Sequence, residues 1–222
     1  MKTSLEIRQL SVERGGRIVL DGIDILIDAG HAVVALGPNG VGKTTLLRTV
    51  AGYVPHLSGT ITLNSSVADT AGIGEQLHYI GHHDAIKLSM TVRENLAFWA
   101  GFLSENTHAK IAPRLETALE SFQLSEFADI PAAYLSAGQK RRAALARLLV
   151  VPRPLWLLDE PTVALDTASC AALIDVANAH LRAGGIILAA THLPLQFENC
   201  SALRLYPPGE VAGEMATGEA AP

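Results

Sequence analysis

The stretch HAVVALGPNGVGKTTLLRTVAG, residues 31–52, constrains the fold more than any other part of this chain. HAVVALG is a continuous apolar run closed by glycine, the pattern of a strand buried on both faces. KTTLLRTVAG reads as a helix, with Gly52 as its stop. Between them lies GPNGVGKTT, which fits G-x-x-x-x-G-K-[ST]. Its nine residues are Gly37, Pro38, Asn39, Gly40, Val41, Gly42, Lys43, Thr44 and Thr45. The three glycines let the loop bend so that backbone N–H groups point inward at phosphate oxygens. The helix that follows presents its positive end to the same place. Lys43 reaches the β- and γ-phosphates, and the Thr44 hydroxyl can ligate Mg²⁺. A chance glycine-rich turn would lack both the strand before the loop and the helix after it.

Around this centre the pattern alternates. SLEIRQLSV and IDILID have the apolar–polar alternation of half-buried antiparallel strands. GTITL (59–63), LHYIG (77–81), LWLLD (155–159) and IILAATH (186–192) read as further strands, with a helix in TASCAALIDVANAHLRAGG. Strand–helix–strand alternation implies a parallel sheet with helices on its faces. The middle of the chain is helical. TVRENLAFWAGFL opens on a capping box, Thr91 and Glu94, and AKIAPRLETALESFQL and AGQKRRAALARLLV have helical spacing. The expected organisation is a core of residues 1–83 and 151–206, a helical insert over 84–150, and a disordered Pro/Gly/Ala/Glu-rich tail over 207–222.

Composition narrows the function classes. The 222 residues are 49% hydrophobic and 18% charged, a globular balance able to bury roughly 70–75% of the unfolded surface. A net charge of −5 argues against a nucleic-acid partner. Cys170 and Cys200 have no metal-binding spacing and read as reduced thiols. The N-terminus lacks a signal-peptide core, and no run approaches the ~20 apolar residues of a membrane helix.

Two further stretches carry chemistry. LWLLDEP (155–161) delivers Asp159 at the C-terminal end of a buried strand, where α/β sheets bind ligands. Asp159 can hold Mg²⁺, and Glu160 can take a proton from an attacking water. LSAGQKRR (135–142) is a small-residue turn opening a helix. Ser136, Ala137 and Gly138 leave donors at a positive helix end, a pattern that an ordinary N-cap also satisfies.

Taken in order, the phosphate loop, LSAGQ, the LLDEP strand, VALD (163–166) and THL with His192 resemble the ATP-binding-cassette ATPases over about residues 1–206. The resemblance implies a P-loop NTPase of α/β class. Its parts would be a RecA-like core, an antiparallel β subdomain and an inserted α-helical signature subdomain. It implies ATP and Mg²⁺ as cofactors, with Thr44 and Asp159 on the metal. It implies a head-to-tail dimer of two copies, in which Ser136, Ala137, Gly138 and Gln139 of one copy face ATP held by the other. Asp166 falls in the family's D-loop, and His192 would contact the γ-phosphate. The family carries an aromatic residue against adenine near the N-terminus. Arg14 stands there in this chain, and a guanidinium can stack on a flat base.

YIGHHDAIKLSMTVRENLAFW, LSAGQKRRAALARL and LWLLDEP resemble, more narrowly, the ATP-binding subunits of the cytochrome c maturation system, the haem exporter ATPases. That resemblance implies integral membrane partner subunits and a peripheral place on the cytoplasmic face of the inner membrane. It also implies ATP hydrolysis that exports haem or releases a haem-loaded chaperone. The cargo of an ABC complex is chosen by its membrane subunits, so another small molecule or a lipid is the alternative. An ABC protein acting on DNA or ribosomes commonly has two cassettes or coiled-coil inserts, which this chain lacks. The absence of NKxD disfavours a GTPase, and a small-molecule kinase leaves LSAGQ unexplained.

In the narrower family the loop after LHYIG reads much like IGHQP. His82 is matched, and His83 stands where the catalytic Gln is expected. An imidazole offers one hydrogen bond at similar reach, and as a residue type it changes charge near neutral pH, which Gln does not. Wild type and His83→Gln are therefore expected to give different pH profiles of ATPase activity. Superimposable profiles would exclude a pH dependence of the ATPase through His83.

Overall fold

The computed structural model describes residues 3–65, 72–103, 111–192, 195–207 and 215–216. The chain divides into two compact units. One comprises Met1–Tyr79, Pro154–Glu160 and Ala177–Pro222; the other comprises Ile80–Arg153 and Pro161–Val176. The strands are β1 (Ser4–Arg14), β2 (Arg17–Asp28), β3 (Ala32–Leu36), β4 (Ser58–Asn64), β5 (Leu77–Ile80), β6 (Leu155–Asp159), β7 (Ile186–Ala190), β8 (Cys200–Arg204) and β9 (Met215–Ala216). The helices are α1 (Lys43–Val50), α2 (Val92–Leu103), α3 (Ile111–Ser121), α4 (Ala137–Val150) and α5 (Thr167–Arg182).

The first unit is built on two sheets. One is antiparallel, in the order β2-β1-β4. Leu5 and Ile7 of β1 oppose Ile27 and Ile25 of β2, and Leu63 and Ile61 of β4. The alternation in IDILID works as expected: Ile23, Ile25 and Ile27 are buried, while Asp24, Leu26 and Asp28 face outward. The second sheet has the order β5-β6-β7-β3-β8-β9. The pairs β6–β7, β7–β3 and β3–β8 are parallel. Every residue of β6 and β7 is buried, as an unbroken apolar run requires in a sheet covered on both faces.

The second unit is helical, with α2, α3 and α4 packed on one another. Leu96, Ala100, Leu119, Phe122, Leu124, Ala144 and Leu148 are among its fully buried residues. The capping box at α2 is formed as expected. Thr91 Oγ1 accepts from Glu94 N at 3.1 Å, and Glu94 Oε2 accepts from Thr91 N at 2.8 Å. Pro113 lies in the first turn of α3, where its missing N–H breaks no helical bond.

The structure departs from the sequence reading at three places. β8 has no counterpart in it, because Cys200 and Ser201 are half-buried and only Leu203 is fully covered, which leaves no apolar pattern to read. The tail was expected to lack structure, yet Met215 and Ala216 pair antiparallel with Leu203 and Ala202. The rest of that expectation, at 208–214 and 217–222, lies outside the described residues, as do residues 109–110 of the predicted third helix. Residues 80–83, 151–153 and 161–176, expected in the core, group with the helical unit. Within that unit Arg141 Nε donates to the Pro161 carbonyl at 3.3 Å. Among the described residues no helix is long and apolar enough to cross a membrane.

One contact in the first unit ties its core to pH. The His180 ring of α5 lies flat on Trp156 of β6, with centroids 3.8 Å apart and planes at 7°. Burial pushes the His180 pKa from the ordinary 6.5 down to about 4, against the opposing bonds to the Ile186 and Pro154 carbonyls. The ring is therefore neutral in the fold, while the unfolded chain binds a proton near pH 6.5. Its contribution to stability is intact above pH 6.5 and is lost as pH falls toward 4. His180→Phe keeps a flat ring on Trp156 and removes the proton site. Between pH 6.5 and 4 the urea midpoint of wild type is expected to fall more steeply than that of the variant.

Candidate nucleotide site

The loop after β3 closes around one ammonium group. Lys43 is 7% exposed, and its Nζ donates to the carbonyls of Gly37 (2.6 Å) and Pro38 (3.0 Å). Pro38, Asn39 and Gly40 form the exposed tip, and Val41 is buried beneath it. Gly42 caps α1 at φ 113°, and a Cβ there would stand 2.8 Å from Leu20 Cδ2. A side chain at that φ would be strained, and its Cβ would also stand 3.3 Å from the Val19 carbonyl. Thr44 and Thr45 follow in the first turn. Thr44 Oγ1 donates to Asp159 Oδ1 at 3.0 Å, and the Thr45 carbonyl accepts from Thr49 Oγ1 at 2.9 Å.

Asp159 ends β6 and is 2% exposed. Burial raises its pKa. The hydrogen bonds from Thr44 and Tyr79 pull the other way, while the neighbouring Glu160 charge adds to the rise. Glu160 has φ 47°, a left-handed backbone rare for a side chain of its size. Its N–H is fixed on the Ala190 carbonyl at 2.7 Å. Its Oε2 accepts from Thr191 Oγ1 at 3.0 Å and meets His192 Nδ1 at 3.0 Å. Three segments distant in sequence thus meet in the first unit: Lys43 with Thr44, Asp159 with Glu160, and His192.

A cleft of about 280 Å³ borders the loop, walled by Arg17, Val19, Asn39, Gly40 and Pro207 among others. Arg14, expected against adenine, is exposed at the end of β1, paired across the hairpin with Arg17. Arg17 is on the cleft wall and Arg14 is not. The two-residue turn Gly15–Gly16 turns the strand over between them.

In the helical unit, Ser136 and Gln139 form a reciprocal capping box on α4, with Ser136 N donating to Gln139 Oε1 at 2.8 Å and Gln139 N to Ser136 Oγ at 3.2 Å. Ala137 and Gly138 occupy the first turn. A Cβ on Gly138 would stand 2.9 Å from the Ala164 carbonyl, so VALD lies close against this turn. Asp166 caps α5: Oδ1 accepts from Ser169 N at 2.8 Å, and the bonds to Ser169 lower its pKa. His82 and His83 are exposed, their rings edge to face at 5.6 Å. Their loop is held by buried groups. Arg141, 4% exposed, donates to the Gly81 carbonyl at 2.8 Å and to Asp84 at 3.2 Å. Asn95 brackets Lys87, and Trp99 donates to the Ala85 carbonyl at 3.3 Å.

The sequence reading missed Tyr79, Thr191 and Arg141. Thr191 directly precedes His192 at the end of a buried strand, a position that could have marked it. Tyr79 and Arg141 have no such signal, since one reads as a strand residue and the other as a helix cation.

A family model described as ABC transporter matches residues 20–163. Among solved structures, one titled "Structure of ATP binding subunit of ABC transporter" superposes with a TM-score of 0.81 at 27% identity, covering 91% of this chain and 85% of that one. A putative ABC transporter ATP-binding protein from Pyrococcus furiosus gives a TM-score of 0.75 at 28% identity, covering 91% and 97%. The cytochrome c biogenesis ATP-binding export protein CcmA of Nitrobacter winogradskyi is 50% identical over 182 residues, 82% of this chain and 88% of the relative. The protein of the same name in Rhodobacter capsulatus is 47% identical over 205 residues, 92% and 88%. The chain belongs to the ABC transporter family and, within it, to the group of cytochrome c biogenesis ATP-binding export proteins.

Proposed function

We propose that this chain is the ATP-hydrolysing subunit of an ABC complex for cytochrome c maturation, one that exports haem or releases a haem-loaded chaperone. The observation that carries the ATPase reading is the meeting of Lys43, Thr44, Asp159, Glu160 and His192 at one edge of the parallel sheet. The likeness to the CcmA relatives carries the haem assignment. Those relatives are export proteins by name, so the partners proposed are integral membrane subunits. The chain would sit as a peripheral subunit on the cytoplasmic face of the inner membrane.

ATP would lie along the loop, its phosphates on the N–H groups of residues 39–45 and on Lys43, its base toward the cleft at Arg17 and Val19. The Thr44 hydroxyl and the Asp159 carboxylate, 3.0 Å apart, are the hard oxygen donors that Mg²⁺ takes. Mg²⁺ keeps waters and phosphate oxygens in its shell, so two protein oxygens suffice for it. When bound, Mg²⁺ neutralises charge on the β- and γ-phosphates.

The proposed reaction is in-line attack of water on the γ-phosphate. Glu160 orients the water and accepts its proton, with Thr191 and His192 fixing the carboxylate through Oε2. An ionised carboxylate only accepts, so Nδ1 of His192 carries a proton in this contact. His83 is proposed to stand in for the catalytic Gln. Ser136, Ala137, Gly138 and Gln139 would close the site of a second copy, with Asp166 in the adjoining loop. The capping box leaves this open, because the Ser136 oxygen accepts from Gln139 while its own proton remains to be donated.

Glu160→Gln is expected to lower turnover about 100-fold or more while keeping ATP binding, so that an ATP-bound dimer accumulates on size exclusion. Rapid turnover by that variant would remove Glu160 from the mechanism. The function itself is tested in the organism. With Lys43→Ala in the chromosomal copy, c-type cytochromes are expected to vanish from a haem-stained gel of membranes while b-type cytochromes remain. Unchanged covalent haem would overturn the cytochrome c assignment.

A further inference from the structure

Within the first unit, a phenol stands between the helix that follows the phosphate loop and the carboxylate at the end of β6. Tyr79 of β5 places its hydroxyl 3.4 Å from Asp159 Oδ2, and Arg48 Nε lies 3.4 Å from the same hydroxyl. Arg48 is four residues beyond Thr44 on α1, so both side chains leave one face of that helix. Thr44 meets one oxygen of Asp159 directly, and Arg48 meets the other through Tyr79. The Tyr79 ring is braced edge-on by Tyr53, with centroids 5.5 Å apart.

The hydrogen-bond directions follow from the groups. A guanidinium has no acceptor, so Arg48 donates to the phenol oxygen. An ionised carboxylate has no donor, so the phenol proton goes to Asp159.

We infer that Tyr79 is a positioning residue for the metal-binding carboxylate: it clamps Oδ2 of Asp159 and thereby sets the orientation in which Asp159 receives Mg²⁺ with ATP. The inference rests on the reading of Asp159 and Thr44 given under the proposed function. It goes further in assigning roles to Tyr79 and Arg48. Asp159 is 2% exposed. Thr44 holds its Oδ1 and Tyr79 its Oδ2, so the two hydroxyls engage both oxygens of the carboxylate.

Tyr79→Phe deletes one oxygen and keeps the ring against Tyr53, so a packing role and a positioning role separate. The measurement is binding of a fluorescent ATP analogue to the purified chain, titrated with Mg²⁺ and repeated in EDTA, with thermal melting of the nucleotide-free chain alongside. The Mg²⁺ concentration for half-maximal enhancement is expected to rise about three- to tenfold, the scale of one lost hydrogen bond to a charged group. Affinity in EDTA is expected to match wild type, and the melting temperature to fall by about 2–4 °C, the scale of one hydrogen bond lost from the nucleotide-free fold. Arg48→Met should shift the same curve in the same direction. In an Asp159→Asn background, Tyr79→Phe should add nothing. If wild type depends on Mg²⁺ and Tyr79→Phe follows the same curve, Tyr79 only packs and the inference falls. It falls equally if the variant weakens binding as much in EDTA as in Mg²⁺. A wild type whose nucleotide binding ignores Mg²⁺ would overturn the underlying reading of Asp159 instead, and the role of Tyr79 with it.

Discussion

The whole site depends on three neighbouring parallel strands having almost no polar side chain until they end. In register, Ala35 of β3 stands beside Ala190 of β7, and Ala190 beside Asp159 of β6. Because the strands run the same way, the first residues after them emerge along one edge of the sheet. Gly37 and the phosphate loop follow β3, Glu160 follows β6, and Thr191 and His192 follow β7. Burial on both faces leaves the strands no other place to carry chemistry. The collection of one lysine, two threonines, two acids and one histidine at that edge is thus a consequence of sheet direction and hydrophobic burial together.

The same burial creates an electrostatic problem at Asp159. A carboxylate so little exposed to water is held ionised less readily, and the adjacent Glu160 charge makes matters worse. Two hydroxyls, from Thr44 and Tyr79, oppose that trend through hydrogen bonds to the charged form. Glu160 meets a different constraint. It is the site residue whose backbone is forced into the left-handed region. The bond of its N–H to Ala190 and the grip on its carboxylate from Thr191 and His192 keep it there.

Much of this was legible in the amino-acid string, for a physical reason. HAVVALG, LWLLD and IILAA are unbroken apolar runs, and such runs must be buried strands in a sheet of this kind. Their end residues were therefore readable as site residues. The capping boxes at Thr91–Glu94 and Ser136–Gln139 are local, so they too could be read from spacing. What escaped depends on neighbours distant in sequence. β8 is a strand because β3 needs a partner, and its own residues carry no alternating pattern. Tyr79 matters because Arg48 and Asp159 stand 31 and 80 residues away along the chain and close to it in space. Arg17 lies on the cleft wall and Arg14 does not, because a hairpin places residues on either side of its turn in different surroundings.

The short strand β9 completes the sheet on its far side. Through β3 the sheet is parallel, and β8 would otherwise be its last strand, with one row of backbone N–H and C=O groups unpaired. Met215 and Ala216 lie along that row in the opposite direction. An exposed strand edge is a template for other chains. Met215 and Ala216 thus cover that edge at Leu203 and Ala202, a task unrelated to nucleotide chemistry. It follows that a tag or fusion attached close behind Ala216, or a deletion beginning before Met215, bears on the solubility of the protein at high concentration. The same change attached at the other end of the chain leaves that edge as it is.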